Sequence, residues 1–200
     1  MKKEQINFKS SKTIALLGIF SALVIVLQFI SYFIKIGTFN LTLVLVPIIL
    51  GAVMYGPEFG TILGAIFGVM TVIGCITGFD NGGHILFQSS PILTILTCMT
   101  KGMAAGYIAG IVSYPIKSKN RYGATLLAAI TAPVVNTGIF IVAMFLFFKN
   151  TLYVWSGDTN VLYYALYTLI GINFIIEFSL NVVLSHVIYR VIGVLRKNPF

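Results

Sequence analysis

Apolar residues recur along the chain in runs of about 20, the length an α-helix needs to cross the hydrocarbon core of a bilayer. Polar clusters separate the runs. Six spans can be marked, at residues 13–34, 40–55, 57–78, 91–114, 122–148 and 163–194. Turn chemistry supports these limits. Gly56 suits a left-handed cap on the second span, Pro57 the first position of the third, and Glu58 the positive end of that helix's dipole. Ser90 and Pro91 open the fourth span as N-cap and first helical residue, and Tyr114-Pro115 closes it. Pro47 and Pro133 lie inside the second and fifth spans. Each removes one backbone bond, so kinks that free the carbonyls of Leu43 and Ala129 are expected. The first run is too long for a signal-peptide core and lacks a small-residue cleavage site, so it is expected to remain as a span. The pattern predicts an all-α integral membrane protein of six transmembrane helices, with residues 1–200 forming a single six-helix membrane domain.

Composition narrows the class. Hydrophobic residues make up 58% of the chain and charged residues 9%, against about 25% charged in an ordinary soluble domain. A mean hydropathy of +0.99 excludes a water-solvated surface around a core of this size, and it excludes intrinsic disorder. The net charge of +8 is not a nucleic-acid signature, because the basic residues sit at the ends and in one loop rather than in a stripe with stacking aromatics. Ten of the 13 basic residues (Lys2, Lys3, Lys9, Lys12, Lys117, Lys119, Arg121, Arg190, Arg196 and Lys197) share one side of a six-span topology. The positive-inside rule then places both termini in the cytoplasm and leaves 35–39, 79–90 and 149–162 as outer loops. Cys75 and Cys98 lie in apolar stretches and read as small buried hydrophobes.

Small residues four apart mark faces for close helix approach. Gly60, Gly64 and Gly68 share a face of the third span, with Gly74 and Gly78 further on. Gly102, Gly106 and Gly110 share a face of the fourth. These faces are expected to pack within the molecule. Ala15, Gly18 and Ala22 form a shorter version on the first span and suit an external partner better.

Ionisable groups deep in a membrane are costly and mark function by default. Lys101 and Glu177 are two such groups. Lys101 lies about ten residues into the fourth span, roughly 15 Å down at ~1.5 Å per residue. Asn173, Glu177 and Asn181 form one stripe on the sixth span, Thr94, Thr97 and Lys101 another on the fourth, and Asn136 lies halfway along the fifth. Two readings stay open: a buried Lys101–Glu177 ion pair with asparagines as interhelical glue, or a polar pocket open to the outside. In the second, Lys101 meets a carboxylate or phosphate and the asparagines fix amide or hydroxyl groups. The 79–90 loop, with Asn81, His84 and Phe87 beside the glycines Gly82 and Gly83, reads as a lid or as an exposed connector. Trp155 reads as an interfacial aromatic that can also cover a ligand. His186 reads as a packed or interfacial histidine.

No Walker A sequence, HExxH, GxSxG or metal-ligand spacing is present. The chain is therefore expected to be no enzyme, to bind no metal or cofactor, and to hydrolyse no ATP itself. A self-contained proton-coupled carrier or channel using Lys101 and Glu177 is one functional class, and a helix-binding assembly protein another.

The chain resembles the S component, the substrate-binding membrane subunit, of energy-coupling factor (ECF) vitamin transporters. The resemblance covers nearly the whole chain. It rests on six spans in about 200 residues, Gly18-Ile19-Phe20-Ser21-Ala22, and Leu45-Val46-Pro47-Ile48 followed by Tyr55-Gly56-Pro57-Glu58-Phe59-Gly60. Ser90-Pro91 leading to Lys101-Gly102-Met103-Ala104-Ala105-Gly106 adds to it. The resemblance implies that Gly18 and Ala22 contact a transmembrane coupling subunit, with Gly18 standing where the family usually has alanine. It implies two cytoplasmic ATPases that use the ATP, a ligand site near the outer face, and delivery by toppling of the subunit in the bilayer. It further implies a multi-pass protein of a prokaryotic, Gram-positive cell membrane. The region around Lys101 looks most like the pantothenate-type branch, although riboflavin or another vitamin fits the class.

Overall fold

A computed structural model describes residues 11–36, 39–40, 42–157, 159–169 and 171–197. Nine α-helices are described: α1 (Ser11–Ser31), α2 (Leu45–Tyr55), α3 (Pro57–Thr77), α4 (Asn81–Ser89), α5 (Pro91–Ser113), α6 (Arg121–Phe147), α7 (Lys149–Ser156), α8 (Val161–Tyr163) and α9 (Gly171–Lys197). A π-helical stretch, Tyr164–Leu169, joins α8 towards α9. The fold is helical apart from one small feature. Strands β1 (Lys35–Ile36) and β2 (Phe39–Asn40) pair antiparallel between α1 and α2, with Lys35 opposite Asn40. Among the described residues, four helices, α1, α3, α5 and α6, are long and apolar enough to cross a membrane.

Several boundaries depart from the sequence pattern. The second run becomes a helix only from Leu45 and has 11 residues, about 16 Å of rise and short of a bilayer core. Pro47 therefore sits in the first turn of α2 rather than inside a long helix, so it breaks no ladder and makes no kink there. Eight of the 11 residues of α2 are buried. A helix that is apolar all round belongs in a core, and α2 is the centre of one. Its Leu45, Ile48, Ile49 and Ala52 pack with Phe20 and Val24 of α1, Phe59, Leu63 and Phe67 of α3, and Ile188 and Ile192 of α9. Gly56 takes φ 95°, ψ −179° rather than the left-handed helical cap, and its N–H still reaches the Ala52 carbonyl at 2.9 Å. Pro133 lies inside a continuous α6. Ser90 occupies the N-cap of α5 without a side-chain capping bond.

The glycine faces of α3 and α5 meet each other. A Cβ on Gly60 would overlap the Gly106 carbonyl, and one on Gly64 the Gly102 carbonyl; Gly102 and Gly106 are blocked in return by Gly64 and Gly60. Only hydrogen side chains allow that approach. Gly74 serves a different neighbour, because a Cβ there would strike the Tyr32 ring. The Tyr32 hydroxyl donates to the Met70 carbonyl and fastens the end of α1 to α3.

The other face of α1 has no such fastening. Ala15, Gly18 and Ala22 are all exposed, and nothing lies within 4 Å of a Cβ built on Gly18. Ile14, Ile19, Leu23 and Val26 flank them and are exposed as well.

Candidate functional site

A cavity opens at the end of the bundle where α1 and α3 finish and α5 and α9 begin. It encloses about 880 Å³ of space between its walls, open solvent at its mouth included. It lies between two apolar clusters and takes walls from both. Phe67 comes from the core around α2, and Leu86 and Phe148 come from a second cluster completed by Met144, Leu152 and Ala165.

Five of the long or central elements supply its polar wall. Gln28 and Ser31 come from α1, Thr71 and Cys75 from α3, and Thr94, Thr97, Cys98 and Lys101 from α5. Asn136 and Thr137 come from α6 and Glu177 from α9. Helical spacing explains the sets: Thr94, Thr97, Cys98 and Lys101 recur every three or four residues and share one face of α5.

Lys101 and Glu177 line the same cavity but form no ion pair among the described contacts. The Glu177 carboxylate, 6% exposed, accepts the backbone N–H of Thr42 at 2.7 Å. The Lys101 ammonium stands 5.8 Å from the Phe67 ring centre and 5.5 Å from that of Phe140, within cation–π range. Of the two readings open in the sequence, the direct ion pair is therefore absent from this geometry. Asn181 belongs to the packing: it is buried and donates from Nδ2 to the Glu177 carbonyl at 2.7 Å.

Thr97, Lys101, Asn136 and Glu177 thus come together as the sequence places them. The Asn173 side chain lies outside the described residues. The remaining candidates stand elsewhere. Residues 81–89 form a helix rather than a glycine-hinged loop, because Asp80 caps it by accepting the Gly83 N–H at 3.0 Å. That helix turns Gly83 and Leu86 to the cavity, with Asp80 before it, and leaves Asn81 exposed. Phe87 is half-buried and off the cavity wall. His84 has both ring nitrogens engaged, donating to the Cys75 carbonyl at 2.8 Å and accepting from Gln88 Nε2 at 2.9 Å. Trp155 packs against the second apolar cluster instead of the cavity wall. His186 sits near Tyr122 and Tyr189, far along α9 from Glu177.

Among the lining residues that sequence reasoning missed are Gln28, Ser31, Thr42, Thr71, Asp80 and Thr137. Gln28 carried a usable signal, as a lone amide in the apolar first run. Thr42, which bonds Glu177 through its backbone N–H and its side chain, lies outside the helices, where spacing carries no signal.

An all-helical bundle with a polar, cation-bearing cavity at one end fits a membrane protein that holds a small solute. Residues 12–189 match the family described as ECF transporter, substrate-specific component. The chain belongs to that family. As an S component it is a membrane transport subunit, and its family is not one of enzymes. Membership also implies association with an ECF module. The S component is 28% identical to the pantothenic acid transporter PanT of Lactococcus lactis subsp. cremoris (strain MG1363), over 95% of this chain and 99% of that protein. No solved structure matches it significantly.

Proposed function

We propose that this S component binds pantothenate, or a closely related carboxylate vitamin precursor, in the cavity around Lys101. The observation that carries the reading is a half-buried ammonium group that, among the described residues, has no carboxylate in contact and stands over two phenyl rings in a polar cavity. A cation on the wall of a membrane-embedded cavity is costly unless something neutralises it, and an anionic ligand does so. Pantothenate offers one carboxylate, one amide, two hydroxyls and a branched apolar middle. The amides of Asn136 and Gln28 and the rings of Phe67, Phe140 and Phe174 match that mixture. Likeness to a protein named as a pantothenic acid transporter supports the same choice.

The further parts of the reading rest on the resemblance set out from the sequence. The chain crosses the membrane six times with both termini inside, so the cavity faces out. It partners a transmembrane coupling subunit and two cytoplasmic ATPases, which supply and use the ATP, while the chain itself binds no cofactor. The exposed Ala15, Gly18 and Ala22 face of α1 is the surface offered to the coupling subunit. Substrate is delivered by toppling of the subunit in the bilayer of a Gram-positive cell.

Liposomes test the arrangement. Pantothenate uptake should require this chain, the coupling subunit, both ATPases and internal ATP together. Uptake by the chain alone, insensitive to ATP and driven by a proton gradient, would instead make it a self-contained carrier.

A further inference from the structure

Gln28 is an amide on a mostly apolar helix, and its side chain hydrogen-bonds Tyr32. It is on the inward face of α1, 5% exposed, and its Oε1 is buried without a hydrogen-bond partner among the described residues. Asn136 Oδ1, on α6, is in the same state, and both residues line the cavity. Leaving a buried polar atom unpaired costs about 1–3 kcal/mol. Two such atoms on the wall of one cavity are unfilled hydrogen-bonding positions.

Four of the neighbouring hydroxyls are engaged elsewhere. Ser31 donates to the Leu27 carbonyl, Thr71 to Phe67, Thr94 to Ser90 and Thr97 to Leu93, at 2.7–2.9 Å. Their protons are committed to their own helices.

We propose that Gln28 is a specificity-determining residue: its amide, with that of Asn136, hydrogen-bonds the neutral hydroxyl- or amide-bearing part of a carboxylate substrate whose charged end meets Lys101. The inference rests on the cavity being the substrate site, and it assigns a substrate contact to α1, the helix whose other face is exposed. An occupied site then ties α1 to α5 and α6 through the ligand. A ligand lacking those hydroxyls loses the contact, and a site built to bond a hydroxyl discriminates strongly against its absence.

Equilibrium binding to the purified full chain separates the possibilities. The probes are pantothenate and its analogue without the two hydroxyls; the proteins are wild type, Gln28→Leu and Gln28→Met, each checked for monodispersity and thermal unfolding. Wild type should prefer pantothenate by at least about tenfold. Either variant should lose about tenfold in pantothenate affinity and hold its affinity for the analogue, so that the preference collapses. Hydrogen exchange gives an independent reading: pantothenate should protect amides around Gln28 in wild type. Folded variants that keep the preference, or lose both affinities equally, overturn the role of Gln28 and leave the site standing. If wild type binds neither compound, the pantothenate reading itself falls, and the assignment of Gln28 falls with it.

Discussion

The backbone N–H of Thr42 is held by the Glu177 carboxylate at 2.7 Å, across 135 residues of sequence. This bond ties the segment leading into α2 to the middle of the α9 wall. Removing the acceptor strands a donor at the cavity edge. Glu177→Ala should destabilise the purified protein by about 1–3 kcal/mol, and Glu177→Gln, which keeps an oxygen, should recover most of that. Thermal unfolding in detergent reads the difference; equal effects of the two variants would contradict the bond's importance.

Lys101 makes the opposite prediction. Because it is not in contact with Glu177, its removal leaves no carboxylate newly unpaired. Lys101→Ala should change the stability of the empty protein by less than about 1 kcal/mol, whereas breaking a buried ion pair costs about 3–5 kcal/mol. The same variant should weaken pantothenate binding at least tenfold, about 1.4 kcal/mol. A large loss of stability with unchanged affinity would restore the ion-pair reading.

The seam between α3 and α5 predicts intolerance to added volume. Gly64 and Gly106 each abut backbone of the facing helix, with no flexible side chain to yield. Gly64→Val or Gly106→Val should cost more than the 1–3 kcal/mol typical of an overpacked core and reduce the folded yield. Size-exclusion profiles of the expressed variants check this.

Gly18 shares the small-residue pattern but has open space around it. Gly18→Leu should leave unfolding and pantothenate affinity unchanged and should abolish co-purification with the coupling subunit. Normal assembly would remove α1 from the partner surface.

These contrasts show what the sequence could carry. Periodicity exposed the glycine faces and the isolated polar residues Thr97, Lys101, Asn136 and Glu177, because a polar residue in an apolar helix stands out at any resolution of reasoning. It could not say that Lys101 turns to Phe67 and Phe140 rather than to Glu177, since both partners are compatible with the same spacing. Helix α4 was hidden by Gly82 and Gly83, which lower helix propensity. Gly83 is there for a tertiary reason: a Cβ would collide with Cys75 Sγ. The true start of α2 was hidden too, because Leu43 and Val44 are as apolar as the helix they precede, while the backbone N–H groups of Thr42 and Leu43 are given to Glu177 and Ser31.

On the proposed function, this chain alone holds an anionic vitamin precursor at Lys101. Equilibrium binding of radiolabelled pantothenate to the chain purified without module or ATP tests it most directly. One saturable site per chain, lost in folded Lys101→Ala, is the predicted result. No saturable binding by the folded wild-type chain, or binding indifferent to Lys101, would contradict it.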